Sequence, residues 1–103
     1  MMVIERLLTC THEKFMKIEV RKPNDNELND SGIFNWSIWE CEISTFDWTY
    51  SDKETCYLLE GEVTVKTDTE TVHFGAGDIV TFPAGLSCVW EVTKPVRKHY
   101  KFG

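Results

Sequence analysis

Two stretches of this chain set reactive side chains among large apolar ones. Phe46 to Gly61 carries Tyr50, Glu54 and Cys56 beside Trp48, and Gly77 to Val92 carries Cys88 beside Trp90. Such a mixture suits a small organic ligand, because rings make flat walls and a few polar groups set orientation. Glu54 offers the most chemistry. A carboxyl held between apolar walls has its pKa pushed up by desolvation and can then act as a general acid or base. Cys88 or Tyr50 would assist it. A planar or cationic ligand would stack on Trp48 or Trp90.

Each of these residues also has a plainer reading. Glu54 could be a buried acid satisfied by Tyr50 or a backbone N–H. Buried acids are uncommon and need a partner, so the site reading is preferred. Cys56 and Cys88, each taken alone, read as small core hydrophobes. Trp36, Trp39 and Trp90 read as core before ligand platform, whereas Trp48 and Tyr50 sit nearer a mouth. Lys98 shares a parity with Val96, Tyr100 and Phe102. It could pair with Glu54, but a lysine so placed more often snorkels out at a sheet edge.

The elements that must position these groups are short strands. Lys17 to Val20 alternates, Pro23 to Asn26 is a turn, and Glu27 to Ser31 makes one helical turn ended by Gly32. Ser37 to Ile43 alternates in period two. Phe46, Trp48 and Tyr50 share the inner parity of a half-buried strand. Glu54 to Leu59 is apolar on both parities, as a central strand covered on two sides would be. Glu60-Gly61 is expected to turn the chain into Glu62 to Thr67, and Asp68 to Glu70 turns it again into Thr71 to Phe74. Gly75 to Asp78 is a tight connection, with glycine available for positive φ. Ile79 to Phe82 is a strand, Pro83-Ala84-Gly85 a corner, and Ser87 to Thr93 another strand. Pro95 bounds a last one, Val96 to Phe102. Seven to nine short strands with Gly and Pro turns and almost no helix indicate an all-β barrel or sandwich.

The totals narrow the functions. A chain of 103 residues is one small domain. Its net charge of -6 disfavours nucleic acid and anionic membrane surfaces as partners. No apolar run approaches the length of a membrane span. Met1-Met2-Val3-Ile4 is interrupted by Glu5 and Arg6 and does not resemble a signal peptide. Four cysteines without a C-x-x-C pair fit reduced thiols in a cytoplasmic protein.

Glu54 and Gly61, with six residues between them, resemble the Glu and Gly of the first motif of the cupin superfamily. Trp48 and Tyr50 stand where that motif has its two histidines. Gly77, Pro83 and Gly85 resemble the second motif, with Cys88 in place of its histidine. The segments Trp36 to Cys41, Glu54 to Gly61 and Phe82 to Trp90 resemble most closely the small cupins of the ureidoglycine aminohydrolase cupin-domain family. The resemblance covers roughly Lys17 to Phe102 and implies a small antiparallel β-barrel or jelly roll, the double-stranded β-helix. Residues 17–103 would be the cupin domain and residues 1–16 a variable N-terminal extension.

If the barrel closes as the resemblance implies, Trp48, Tyr50, Glu54, Cys56, Cys88 and Trp90 all face inward as the ligand-binding set, with Glu54, Cys88 and Tyr50 as its catalytic candidates. Metal-binding cupins use three histidines and one glutamate, and this chain keeps only the glutamate, so no metal cofactor is expected. His12, His73 and His99 lie outside the motifs, with His73 and His99 expected to point outward. A divalent metal at Glu54 and Cys88, with Tyr50, is the alternative. The resulting expectation is a metal-free cupin that binds a small organic metabolite. A hydrolase acting on a ureido or amide nitrogen compound, with Glu54 as general acid or base, is the second reading. The third is an interaction module. Cupins commonly pair through sheet extension, so a homodimer is expected.

Overall fold

The computed structural model describes residues 16–103. The expected extension, residues 1–16, lies outside the described residues apart from Met16, as do Cys10 and His12. From there on the chain is antiparallel sheet, as its sequence pattern requires. The strands are β1 (Glu19–Arg21), β2 (Ser37–Cys41), β3 (Ser44–Thr49), β4 (Glu54–Lys66), β5 (Thr71–Gly75), β6 (Ile79–Phe82) and β7 (Ser87–Phe102). One short helix, α1 (Asp25–Asp30), and a 3-10 turn at Ile33–Asn35 precede β2. Asn24 caps α1, its side chain accepting the Glu27 N–H at 2.9 Å.

Two long strands carry the architecture. β4 and β7 pair with each other from Glu54↔Phe102 to Lys66↔Val89. On its other side β4 pairs first with β6 and then with β5, while β7 pairs first with β3 and then with β2. β1 extends the sheet beyond β6. The inward residues of β4 and β7 alternate as a period-two strand should, with Cys56, Leu58, Val63, Val65, Trp90, Val92 and Val96 all buried. They form one core with Ile18, Phe74, Val80, Phe82 and Leu86.

The expected turn at Glu60-Gly61 is not a turn. The strand continues through it, with irregularities in the ladder between Leu58 and Val63. Gly61 is at φ 108°, and a Cβ there would lie 2.6 Å from the Pro95 carbonyl oxygen and 2.8 Å from the Val96 Cα. A glycine facing a proline, which has no N–H to give the ladder, bends both strands without reversing them. Pro95 likewise does not bound a new strand but lies inside β7.

The reversal lies at the expected Asp68 to Glu70 turn, between β4 and β5. The tight connection at Gly75 to Asp78 links β5 to β6, which both run antiparallel to β4 along the same side of it, so the chain is not reversed there. Gly77 adopts φ 91°, and the Asp78 carboxylate accepts the Gly75 N–H at 2.9 Å. His73 is exposed as expected, its Nδ1 2.7 Å from Thr64 Oγ1. His99 is not exposed at the surface as an outward histidine was expected to be. Its side chain leaves the barrel on the predicted parity, but the 3-10 turn lies over it. The ring is only 6% exposed, meets the edge of Phe34 and lies with Nδ1 3.0 Å from the Trp36 carbonyl.

Candidate functional site

β3, β4 and β7 bring three faces together at one end of the barrel. Tyr50 is fixed there by its backbone. Its N–H donates to the Leu86 carbonyl at 2.8 Å, and its carbonyl accepts the Gly85 N–H at 2.6 Å. The Pro83-Ala84-Gly85 corner therefore sets where the phenol points. The phenol stacks on Phe82 at 4.7 Å and accepts a hydrogen bond from Trp90 Nε1 at 3.1 Å. Trp90 in turn stacks on Phe46 and meets Trp39 edge-on, each with ring centroids 6.0 Å apart.

These rings wall a half-open cavity of about 220 Å³. Trp48, Tyr50, Glu54 and Trp90 line it, together with Trp39, Phe46, Lys98, Tyr100 and Phe102. Trp48 stands at the mouth, 47% exposed, and Phe102 is half exposed opposite. Of the six residues expected to bind ligand, four reach the cavity. Cys56 is fully buried, Cys88 is 6% exposed, and neither is on the lining.

The decisive group is one that sequence reasoning placed at the sheet edge. Lys98 does not snorkel out. Its Nζ donates to Glu54 Oε2 at 2.7 Å, and the two side chains are only 6% and 5% exposed. The ammonium also sits 4.7 Å from the Trp90 ring centre, 4.8 Å from that of Trp39 and 5.9 Å from that of Tyr100. An opposite charge and three ring faces offset the desolvation of a buried cation. Lys98 is level with Leu58 across the ladder, and Glu54 is level with Phe102. The lysine arm must lean along the sheet to reach the carboxylate. Phe46, Tyr100 and Phe102, also missed as lining residues, share the inward parities of Tyr50 and Lys98, which was the signal available for them.

The protonation states follow from burial. Desolvation first, and the nearby Glu54 charge second, push the Tyr50 phenol well above its usual range, so it stays protonated. Burial pushes the Cys88 thiol up to about 11, with Glu54 adding to it. Burial likewise pushes Cys56 up to about 12. Neither thiol is primed as a thiolate nucleophile.

This donor set does not fit a transition metal. Among the described residues the only carboxylate on the cavity wall, Glu54, already holds a cation, the Lys98 ammonium. The phenol and thiol nearby are held protonated, whereas a metal needs them ionised. Among the described residues no group of three or more His, Cys, Asp and Glu side chains is close enough together to hold a metal ion.

Residues 28–100 match the family described as the EutQ-like cupin domain. The chain belongs to that family. A solved DUF861 family protein from Thermotoga maritima is 45% identical to this cupin, covers 84% of the chain and 100% of its own length, and superposes with a TM-score of 0.83. The EutQ protein of Clostridium difficile is 26% identical over 63% of the chain, with a TM-score of 0.59. A Rhizobium leguminosarum protein of unknown function is also 26% identical, over 63% of the chain, at a TM-score of 0.57. This cupin spans 52% of the Clostridium protein and 66% of the Rhizobium one. No curated protein matches it. With the family and the seven-stranded antiparallel sheet both in hand, the expected all-β cupin architecture holds. Among the described residues no helix is long and apolar enough to cross a membrane.

Proposed function

We propose that this cupin binds a small, uncharged organic molecule in the aromatic cavity, seated over the Lys98–Glu54 pair, without a metal. The observation that carries this reading is the pair itself. It places one strong donor and one strong acceptor at the wall of a cavity otherwise made of rings. Its charges sum to zero, so a ligand with a net charge of its own would be desolvated with no counter-ion. A neutral molecule offering an acceptor to Lys98 and a donor to Glu54 suffers no such penalty.

The hydrolytic reading, with Glu54 as general acid or base on a ureido or amide nitrogen compound, draws on the same pair. Lys98 would be the group that gives Glu54 its proton. The membership of the ureidoglycine aminohydrolase-type subfamily belongs with that reading, and only the family at large supports it.

A thermal-shift and tryptophan-fluorescence screen against neutral metabolites, run with and without divalent metals, tests the binding reading. Stabilisation by a neutral metabolite, unchanged by a chelator, is expected. Stoichiometric iron, manganese or zinc in the purified protein, with stabilisation only in its presence, overturns it.

A further inference from the structure

A buried ion pair is a poor stabiliser. Replacing one by apolar residues of similar volume is often neutral or better, because two desolvation penalties disappear. The Lys98–Glu54 pair is therefore not explained by folding, and it borders a cavity rather than solid core. A primary amine in van der Waals reach of a cavity, with a carboxylate 2.7 Å away to take its proton, has the parts needed for carbonyl chemistry.

We infer that Lys98 condenses with a small neutral aldehyde or ketone to form a protonated imine, with Glu54 carrying the proton. The inference rests on the small-molecule reading above and names the ligand class.

The steps balance within the pair. The Lys98 ammonium gives one proton to Glu54 Oε2, which frees the nitrogen lone pair. That pair forms the C–N bond to the carbonyl carbon while the C=O π electrons move to oxygen. A proton passes from nitrogen to oxygen, giving a carbinolamine. Glu54 then returns its proton to the carbinolamine hydroxyl, the C–O bond breaks, water leaves, and the nitrogen lone pair closes the C=N bond. Ammonium plus carbonyl has become iminium plus water, and Glu54 is again a carboxylate.

The cage favours this outcome. The nitrogen carries one positive charge at the start and at the end, at the same place. The rings of Trp39 and Trp90, 4.8 and 4.7 Å away, and the Glu54 carboxylate stabilise the iminium as they do the ammonium. Burial, which opposes a change of charge, has none to oppose. Tyr50 lines the same cavity with its own proton retained, available to the carbonyl oxygen. The cavity of about 220 Å³ has room for roughly seven water-sized groups, which limits the carbonyl compound to a few carbons.

The test is reductive trapping. The native protein is incubated with propanal and cyanoborohydride at neutral pH, digested, and mapped by mass spectrometry. One propyl group on Lys98 is expected, at about tenfold the occupancy of exposed lysines such as Lys53, Lys94 and Lys101, because the cavity positions the carbonyl. The preference should vanish in urea, and Lys98→Arg should abolish the labelling at this position only. Labelling of Lys98 at or below the level of the exposed lysines overturns the inference, and it does so whether or not Lys98→Arg folds. If that result comes with a persisting thermal shift by a neutral metabolite, the imine falls and the binding reading stands. If the shift is absent too, both fall.

Discussion

Lys98→Met removes the cation and leaves the Glu54 carboxylate in place, 4% exposed and facing rings. The cost is that of a buried charge stripped of its partner, about 3–5 kcal/mol. For a domain whose whole stability is about 5–15 kcal/mol, the variant should still fold, but close to its limit. With a urea slope of about 1–3 kcal/mol per molar, the unfolding midpoint should fall by about 2 M. Adding Glu54→Leu should then restore what the first change took, leaving the double variant within about 1 kcal/mol of the parent or above it. Tryptophan fluorescence follows the transition directly, since Trp39 and Trp90 border the altered group. A loss under about 1 kcal/mol in Lys98→Met, or a double variant as weak as the sum of the two single ones, would refute the claim that the two groups act as one electrostatic unit.

Three further expectations concern the surroundings. Tyr50→Phe takes away the acceptor of the buried Trp90 indole N–H, and thermal unfolding should show a loss of about 1–3 kcal/mol. Gly61→Ala sets a Cβ against the Pro95 carbonyl at a positive φ, so it should cost more than about 1 kcal/mol, read as a lower Tm. The third is a pH dependence. The folded thiols of Cys56 and Cys88 lose their protons at higher pH than the free value of 9.0. Above pH 9 the unfolded chain therefore binds fewer protons than the folded one. The contribution of these thiols is complete below pH 9 and is lost as pH rises through about 11 to 12. Urea midpoints measured from pH 8 to 11 should fall, and fall less in a Cys56→Ala, Cys88→Ala variant.

The strands were legible because their apolar residues alternate, and the Glu54-to-Gly61 and Gly77-to-Gly85 spacings pointed to the end of the barrel where the aromatic cavity lies. Trp48, Tyr50 and Glu54, named from those motif positions, and Trp90, named from its parity, all line that cavity. Parity also put Lys98 on the inner face, but parity says nothing of distance along the sheet. Lys98 and Glu54 are not ladder partners, and only the three-dimensional twist and the length of the lysine arm bring them to 2.7 Å. The prior that lysines reach for solvent then decided wrongly. Cys88 was weighted by the motif position it occupies, yet it packs beside the cavity lining and not on it. The bend at Gly61 looked like a reversal because glycine after glutamate signals a turn locally. The opposing Pro95, 34 residues on, is what makes it a bend.

β7 has one more consequence, for how the sheet assembles. It is the shared neighbour of β2, β3 and β4, so three earlier strands present open edges until it arrives. None of those pairings is local, and each must wait for closure of a loop of tens of residues. Such topologies fold in roughly milliseconds to seconds, far slower than helical bundles of equal size. During synthesis β2 and β3 have to stay unpaired altogether, and β4 unpaired on one side, until Ser87 to Phe102 has left the ribosome. That interval, more than the finished barrel, is when this chain is exposed to sticking to its neighbours.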